Sequence, residues 1–355
     1  MKITRILFLI ITLSLNAHDK WIVITTINHP TPALKKLAHL QDWHMVVVGD
    51  KKTPRDWHLD NCEYLSPERQ EELGFAITKL LPWNHYSRKN IGYLYAIQHG
   101  AQIIYETDDD SILLDDTITC LPEYTKCPCA KSTTGLVNVY SHFGQPSVWP
   151  RGYPLHAILA PNNAIIQAMQ NFIPIQQGLI NGDTDVDAIF RLTRDEKDLA
   201  FDAIKEPLAL AKNTLCPFNT QNTVFYQKAF WGLLIPITVS FRVCDIWRGY
   251  WVQRLLWDLD AQLCFTRPTT YQDRNAHNIF KDFLDEQDLY TKAEDFASFL
   301  RSWQCSEPTF KEHIEKLMQD MIQAKFFKAQ EAELLAAWLY DLEQCGYQMP
   351  NINNI

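Results

Sequence analysis

The stretch "IIYETDDDSIL", residues 103–113, decides the fold because it joins a short apolar run to three consecutive aspartates. Adjacent carboxylates repel one another and cost stability unless water or a positive group compensates them. In parallel α/β sheets, ligands bind beyond the carboxyl ends of the strands. If the backbone stays extended here, Asp108 and Asp110 point to one side and Asp109 to the other. Two convergent carboxylates suit a hard divalent cation, Mn²⁺ or Mg²⁺, whereas the alternative is a solvated acidic loop.

The segments before this stretch predict an α/β fold. "KWIVITTIN" (20–28) and "WHMVVVGD" (43–50) are Val- and Ile-rich runs separated by a helical segment, which is the β-α-β pattern of a parallel sheet. "YSRKNIGYLYAIQHG" (86–100) has apolar residues at helical spacing and closes with Gly100, a common helix terminator. We therefore expect a helix directly before the aspartate strand.

The rest of the chain is less regular until its last part. Pro, Gly and Asn are scattered through 114–220, which predicts long loops on the same sheet. Residues 222–259 combine strand-like runs with an aromatic helix. From about residue 290 apolar residues recur at helical spacing, which predicts a C-terminal pair of helices. The two helices carry one apolar face each: Ile314, Leu317, Met318, Met321 and Ile322, and Leu334, Leu335, Trp338, Leu339 and Leu342.

Two basic residues begin the helix before the aspartate strand. Arg88 and Lys89 lie in its predicted first turn, where the positive end of the helix dipole disfavours cations. This placement is explained if an anion docks there, so that the basic helix start and a metal ion on the aspartates clamp a diphosphate from two sides. The alternative is two solvent-exposed basic side chains.

Composition limits the class of partner. The chain of 355 residues has 46% hydrophobic and 21% charged residues, which is typical of one large or two smaller globular domains. Its net charge of −9 argues against nucleic acid as the main partner, because phosphate backbones require a basic surface.

The N-terminus and the cysteines indicate whether the protein is exported, because exported proteins carry signal peptides and can form disulfides. Residues 1–17 have the layout of a signal peptide, and a short membrane anchor is the alternative. The chain has nine cysteines, whose spacing does not fix any pairing. Cys127 and Cys129 are too close for the usual zinc-binding spacing, so we expect a loop disulfide to other cysteines or plain thiols.

A second acidic run places Asp183, Asp185 and Asp187 at alternate positions in "NGDTDVDAIF". It lacks the glycine and the twelfth-position acid of a calcium-binding EF-hand loop, where Arg194 stands instead. Helix capping by Asp183 or Asp185 is the simpler account.

Four long segments together resemble the STELLO family of glycosyltransferases. The resemblance runs from about residue 20 to the C-terminal helices. It implies a GT-A (Rossmann-like) fold with a mixed central sheet over 18–289, followed by a C-terminal helical extension over 290–355. More distantly, "VCDIWRGYW" is similar to a segment of the reversibly glycosylated polypeptides, which are UDP-arabinopyranose mutases. The four segments are "WIVITTINHPTPALKKLAHLQDWHMVVVGDKKTPRDW", "YSRKNIGYLYAIQHGAQIIYETDDD", "QQGLINGDTDVDAIFRLT" and "FRVCDIWRGYWVQRLLWDL".

The resemblance also implies roles for individual residues. Asp110 would bind the metal directly, Asp108 would face the metal or the ribose, and His277 is a candidate third ligand, with a local hydrogen bond as its alternative. Asp245 in "CDIW" would lie near the acceptor and the reacting sugar carbon, and Asp109 would face the sugar or a basic neighbour. The nucleotide contacts would come from Thr25, Thr26, Asn28, Asp50, Arg88, Asn90 and Asp108.

The implied reaction is transfer of a sugar from a nucleoside diphosphate sugar, a UDP-sugar above all, to an acceptor hydroxyl. Asp245 would be the base of an inverting reaction, or would hold the acceptor in a retaining one. The alternatives are a nucleotide-sugar mutase and a non-catalytic scaffold of glycan synthesis. Plant members of the family carry a longer, membrane-anchored N-terminal part. We expect this chain in the lumen of the Golgi or ER, or associated with their membranes, in a eukaryote, and exported otherwise.

Overall fold

The computed structural model describes residues 19–161, 164–196, 198–273 and 278–352. This part of the chain contains eleven strands: β1 (Lys20–Thr25), β2 (His44–Val48), β3 (Glu63–Leu65), β4 (Ile103–Thr107), β5 (Ser111–Leu113), β6 (Tyr124–Ser132), β7 (Ala164–Phe172), β8 (Ile175–Gly182), β9 (Leu208–Leu210), β10 (Asn222–Tyr226) and β11 (Leu263–Gln272). They form one sheet in the order β3-β2-β1-β4-β10-β8-β11-β9-β6-β7, and β5 pairs with β11.

Ten α-helices occur in the same part of the chain. They are α1 (Pro32–Leu37), α2 (Pro67–Glu72), α3 (Lys89–Gln98), α4 (Val139–His142), α5 (Ala188–Thr193), α6 (Cys244–Leu256), α7 (Ile279–Asp285), α8 (Gln287–Ser302), α9 (Phe310–Gln323) and α10 (Gln330–Gln344). The predicted β-α-β unit is confirmed, since β1 and β2 are parallel neighbours connected through α1. The predicted helix before the aspartate strand is α3, which follows a single 3₁₀ turn and ends before Gly100 at φ +88°.

Strand direction brings the ends of distant segments together. β1 is parallel to β4, and β10 is antiparallel to both β4 and β8. β11 is parallel to β8, so β1, β4, β8 and β11 all run in the same direction. Their carboxyl ends therefore lie at one edge of the sheet, where the aspartate run follows β4.

The prediction of long loops over 114–220 is wrong, because this segment contains β6, β7, β8, β9, α4 and α5. The strands were hidden by polar residues in the core and apolar residues on the surface. In β8, Gln176 and Gln177 are buried, and their amides bond to the backbone of Leu121 and Asn222. In β7, six successive residues are exposed, so no alternation of apolar and polar positions arises.

The predicted C-terminal helices are α9 and α10, and α8 adds a third helix before them. Their apolar faces join the same continuous core as the sheet, and Trp338 of α10 donates a hydrogen bond to the Trp231 carbonyl. The predicted α/β fold with a mixed sheet and a helical C-terminal part is thus confirmed. No helix in the described ranges combines the length and hydropathy needed to cross a bilayer.

All nine cysteines lie in the described residues, and each is a free thiol. Of the two states expected for them, the structure has plain thiols. The predicted signal peptide at 1–17 lies outside the described residues.

Candidate functional site

The aspartate run does not continue as an extended strand. The chain turns at Asp109 and Asp110, and the Ser111 amide donates to the Asp108 carbonyl at 3.3 Å. The expectation that Asp108 and Asp110 share one side of a strand is therefore wrong. The run instead forms a tight turn between β4 and β5, and its three side chains contact three different parts of the molecule.

Each aspartate of the turn has its own partner. Lys89 at the start of α3 is fully buried, and its Nζ lies 3.0 Å from Asp108 Oδ1. Thr26 and Asn28 in the loop after β1 donate to Asp109 Oδ2 at 2.5 and 3.1 Å. Burial raises the pKa of Asp109, although these two hydrogen bonds and Lys89 lower it. Lys89 thus neutralises part of the turn.

Asp110 faces the end of β11, where Gln272 Nε2 donates to its Oδ1 at 3.1 Å. The turn is therefore held from both directions, by the loop after β1 and by the last residue of β11. This arrangement explains how adjacent carboxylates are tolerated at the edge of the sheet.

A cavity of about 290 Å³ lies in front of the turn, and we call it the aspartate cavity. It takes residues from the ends of β1, β4, β8 and β11 and from the start of α6, as the strand directions require. Its lining residues are Thr25, Tyr86, Asp108, Asp109, Asp110, Arg151, Asp185, Thr220, Gln221, Phe241, Arg242, Asp245 and Gln272.

Arg151 connects two carboxylates in this cavity. Its Nε lies 2.7 Å from Asp185 and its Nη2 lies 2.9 Å from Asp245, and all three side chains are almost fully buried. Burial alone would lower the pKa of Arg151, but the two carboxylates raise it well above its ordinary value, so the guanidinium stays charged.

Asp245 is further held by Tyr86, whose hydroxyl lies 3.4 Å from Asp245 Oδ1 and accepts from the Asp245 amide at 3.1 Å. Burial, and then Asp245, raise the pKa of Tyr86 well above its ordinary value, so the phenol remains protonated. Both carboxylate oxygens of Asp245 are therefore engaged by Arg151 and Tyr86.

Arg242 lies next in the cavity wall, and it pairs with Glu286 at 2.5 Å through its Nε. Its Nη2 is buried and has no hydrogen-bond partner among the described residues. An unsatisfied buried donor of this kind is costly unless a ligand accepts from it.

A second cavity of about 270 Å³ adjoins the first, and we call it the β1–β2 cavity. The two cavities share Thr25, Tyr86, Asp109 and Phe241. The other lining residues of the β1–β2 cavity are Thr26, Ile27, Asn28, Val48, Gly49, Asp50, Lys52, Asn84, His85 and Arg88.

Asp50 and Arg88 are the buried charged residues of the β1–β2 cavity. Asp50 accepts from the amides of Lys51, Asn84 and His85, so it orders the loop at 82–88. Arg88 is 1% exposed, and it bonds to Gln70 and to the Leu81 carbonyl. Its Nη2 is buried without a hydrogen-bond partner among the described residues, and its guanidinium lies over the Trp83 ring, 3.4 Å from the ring centroid.

Some of the predicted nucleotide residues line a cavity, whereas Lys89 and Asn90 line neither of the two cavities. Thr25, Thr26, Asn28, Asp50 and Arg88 line the β1–β2 cavity. Lys89 does not reach either cavity as an exposed cation, because Asp108 and the Thr107 carbonyl hold its Nζ. The predicted diphosphate clamp by Arg88 and Lys89 therefore does not form, because Arg88 contacts Gln70 and Lys89 contacts Asp108.

Asn90 belongs to the core. It is fully buried, and its side-chain amide exchanges two hydrogen bonds with the Ile235 backbone, at 3.0 and 2.9 Å. Both of its polar atoms are thus used inside the protein, and the predicted nucleotide contact is not supported.

The predicted cap of α5 also changes. Asp187, not Asp183 or Asp185, is the N-cap residue, and it accepts from the Phe190 amide at 2.8 Å. Asp185 instead lines the aspartate cavity and contacts Arg151. The sequence does carry a signal for a site here, because Asp183 and Asp185 follow β8 as Asp108 follows β4. The absence of an EF-hand pattern does not exclude such a site.

Metal binding can be judged from the oxygen atoms present. Within the described ranges, no three His, Cys, Asp or Glu side chains are grouped so as to hold a metal ion. Asp108 and Asp110 both line the aspartate cavity, and carboxylate oxygens are the ligands that Mn²⁺ and Mg²⁺ prefer. These ions keep several waters or phosphate oxygens, so two carboxylates fit such a site. The predicted ligand His277 lies outside the described residues.

Sequence comparison gives close relatives. Residues 242–354 match the family model of the STELLO glycosyltransferases. The chain is 34% identical over 358 residues to Probable glycosyltransferase STELLO1, and 35% identical over 355 residues to Probable glycosyltransferase STELLO2, both from Arabidopsis thaliana. Each alignment covers 95% of this chain and 46% of the relative, so the chain spans about half the length of these relatives. The resemblance predicted from the four segments is confirmed.

Structural comparison gives distant neighbours. Two structures of glucosyl-3-phosphoglycerate synthase from Mycobacterium tuberculosis, one with phosphoglyceric acid and one with Mn²⁺, uridine diphosphate and phosphoglyceric acid, align over 82% of this chain at 8% identity. The alignments cover 82% and 81% of those chains, with TM-scores of 0.35 and 0.36.

Proposed function

Because the chain is homologous to the STELLO glycosyltransferases over nearly its whole length, we propose that it is a metal-dependent glycosyltransferase of the GT-A fold. It transfers a sugar from a nucleoside diphosphate sugar, preferentially a UDP-sugar, to an acceptor hydroxyl. One observation carries the proposal: two adjoining cavities at the carboxyl edge of the sheet each include an arginine whose buried Nη2 has no hydrogen-bond partner among the described residues. A nucleoside diphosphate is long enough to occupy both cavities, and it carries many oxygen atoms that accept hydrogen bonds.

The β1–β2 cavity would receive the base and ribose. Ile27 and Val48 offer apolar contacts to a ring, and Asp50 and Arg88 offer an acceptor and a donor beside it. The unpartnered Arg88 Nη2 would be satisfied by a carbonyl oxygen of the base, since a guanidinium only donates hydrogen bonds. Uracil presents two such carbonyl oxygens, which supports the preference for a UDP-sugar.

The aspartate cavity would receive the diphosphate and the sugar. Among its described lining residues, five aspartates face two arginines, so an anionic diphosphate would be repelled without an added cation. A Mn²⁺ or Mg²⁺ ion on Asp108 and Asp110 would supply that cation and stabilise charge on the departing diphosphate. The Arg242 Nη2 would donate to a phosphate oxygen, a role that the sequence had suggested for Arg88 and Lys89.

Asp245 would mainly orient the neighbouring side chains Arg151 and Tyr86. Because both of its oxygens already contact Arg151 and Tyr86, it holds the guanidinium and the phenol toward the cavity. This arrangement favours a role in holding the sugar or the acceptor, whereas an inverting reaction would require Asp245 to exchange one of these contacts for the acceptor proton. Asp109 is tied to the loop after β1 and would order that loop beside the nucleotide.

Calorimetric titration with UDP in the presence and absence of Mn²⁺ tests the donor site. We expect Mn²⁺-dependent binding, weakened about tenfold or more by Asp110→Asn, because a ligand to the ion is lost. Asp116→Asn is the matched control, since that carboxylate is 95% exposed on the surface and should leave binding unchanged. Absence of UDP binding by the folded protein with Mn²⁺ would favour the scaffold alternative.

A panel of nucleotide sugars, screened for Mn²⁺-dependent hydrolysis or transfer, tests the reaction. We expect release of UDP from at least one UDP-sugar, and loss of that release in Asp110→Asn. Ring isomerisation of a UDP-pentose without release of UDP would instead identify a mutase.

We also propose a location in the secretory pathway, in the Golgi or ER lumen or on its membranes, if the source is eukaryotic. The basic start, apolar run and small-residue end of residues 1–17 support export. Expression with a C-terminal tag, followed by protease protection of isolated microsomes, tests the location.

A further inference from the structure

Strand β7 ends the described sheet and leaves one long edge open. It pairs with β6 through nine successive residue pairs, from Tyr124 with Phe172 to Ser132 with Ala164. The strand order stops at β7, so within the described residues no strand pairs with its outer edge. The outer edge therefore presents backbone N–H and C=O groups along a strand of about 30 Å.

The composition of β7 is unusual for an open edge. Its sequence, AIIQAMQNF, contains no charged residue and no proline, and its pairing with β6 has no bulge. Natural edge strands are commonly protected by one of these three devices. Ile165 is 60% exposed, and Ile166 and Met169 are each 47% exposed, so apolar side chains flank the edge on both faces.

The strand β7 itself carries no charged residue that would oppose a second copy of this chain as the occupant. The chain carries a net charge of −9, so two copies repel unless they meet at a neutral surface, and β7 is such a surface. Lys228 lies over the Phe172 ring at one end of β7, 5.1 Å from its centroid, whereas Lys126 and Lys131 lie one strand back. Across a β7–β7 pair the latter two would be about three strand spacings, or roughly 14 Å, from their copies, which exceeds the Debye length of about 8 Å at physiological salt.

Strand geometry makes this pairing self-complementary. Two identical strands related by a two-fold axis run antiparallel, and each strand then offers the other the same alternating donors and acceptors. We propose that β7 is a self-association edge, through which two copies of this chain join their sheets into one continuous sheet. This inference does not depend on the proposed function, because β7 lines neither cavity.

Sedimentation equilibrium of the full chain tests the proposal. We expect a mass that rises with concentration toward twice the chain mass of 41.3 kDa. The double variant Ile166→Lys, Met169→Lys should sediment as a monomer, because it places like charges on both faces of the paired edge. Ile204→Lys is the control, since Ile204 is 92% exposed elsewhere on the surface and should leave the dimer intact.

A second measurement on the unmodified protein keeps the test independent of the variant's folding. Hydrogen exchange of the amides in 164–172 should slow as protein concentration rises, while amides of the short edge strand β3 should not change. A protein that stays monomeric at every concentration, or a dimer whose β7 amides exchange at an unchanged rate, would overturn the proposal.

Discussion

Replacement of Arg248 by methionine should destabilise the protein by leaving a buried carboxylate without its counterion. Glu106 on β4 and Arg248 on α6 are both fully buried, and Arg248 Nη2 lies 2.5 Å from Glu106 Oε1. Burial alone would lower the pKa of Arg248, but Glu106 raises it above its ordinary value. Glu106 also accepts from the Tyr93 hydroxyl, so one phenol would remain as its partner in the variant.

The magnitude follows from the burial of both groups. Removal of one partner of a buried ion pair costs about 3–5 kcal/mol, because the remaining charge loses its compensation. At about 2.1 cal/mol/K of unfolding entropy per residue, a chain of 355 residues would then melt roughly 4–7 °C lower. Arg248→Met keeps an unbranched apolar stem but leaves the space of the guanidinium empty, so the loss in the single variant includes a packing contribution besides the unpaired charge.

Thermal and denaturant unfolding, followed by circular dichroism, would measure the loss. The double variant Glu106→Gln, Arg248→Met should lose less unfolding free energy than the two single variants together, by about 1–3 kcal/mol, because neither partner of the pair is left alone. An unchanged melting temperature in Arg248→Met, or strictly additive losses in the double variant, would show that the pair does not stabilise the fold as argued.

Three further predictions concern packing, pH and thiol chemistry. Gly92→Ala should cost about 1–3 kcal/mol despite its better helix propensity, since a Cβ there would lie 2.6 Å from Val23 Cγ1, and urea unfolding would measure the loss. Burial lowers the pKa of His85 to about 4, so protonation is harder in the folded state, and stability should fall as pH drops from 6.5 toward 4; His85→Gln should flatten this slope in denaturant titrations. The hydrogen bond from Cys264 lowers the pKa of Cys127 to about 7, and because Cys127 is buried its thiolate is best followed by ultraviolet absorbance of the folded protein; a thiolate signal should appear with a midpoint near pH 7, and Cys264→Ala should move that midpoint upward.

The parallel half of the sheet could be predicted from sequence because its strands are buried on both faces. β1 and β2 consist almost entirely of buried Trp, Ile, Val and Met, and each stands before polar residues. The strands of 114–220 could not be predicted in this way. Their buried glutamines are satisfied by backbone partners far along the chain, and such partners become known only when the fold is known.

The site was predicted in its location but not in its detailed contacts. The acids at the end of β4 and Asp245 do meet in one cavity. Arg151 was missed because it lies in an irregular segment, and its role depends on Asp185 and Asp245, which are far from it in sequence. Lys89 was assigned to a ligand because a helix start disfavours a cation, whereas Asp108 at 3.0 Å provides the compensating charge within the protein.

The sheet order has a consequence for how the protein folds. β4 has β1 on one side and β10 on the other, and Tyr105 on β4 donates a hydrogen bond to Asn222, which is 117 residues further along the chain. Pairings of such high contact order form slowly, because the long intervening segment must first lose conformational entropy. The local unit of β1, β2 and β4 can therefore assemble early, with one side of β4 still unpaired. In this unit the aspartate turn can already contact Lys89, Thr26 and Asn28, but the contact between Asp110 and Gln272 forms only when β11 arrives, so the site is completed late in folding.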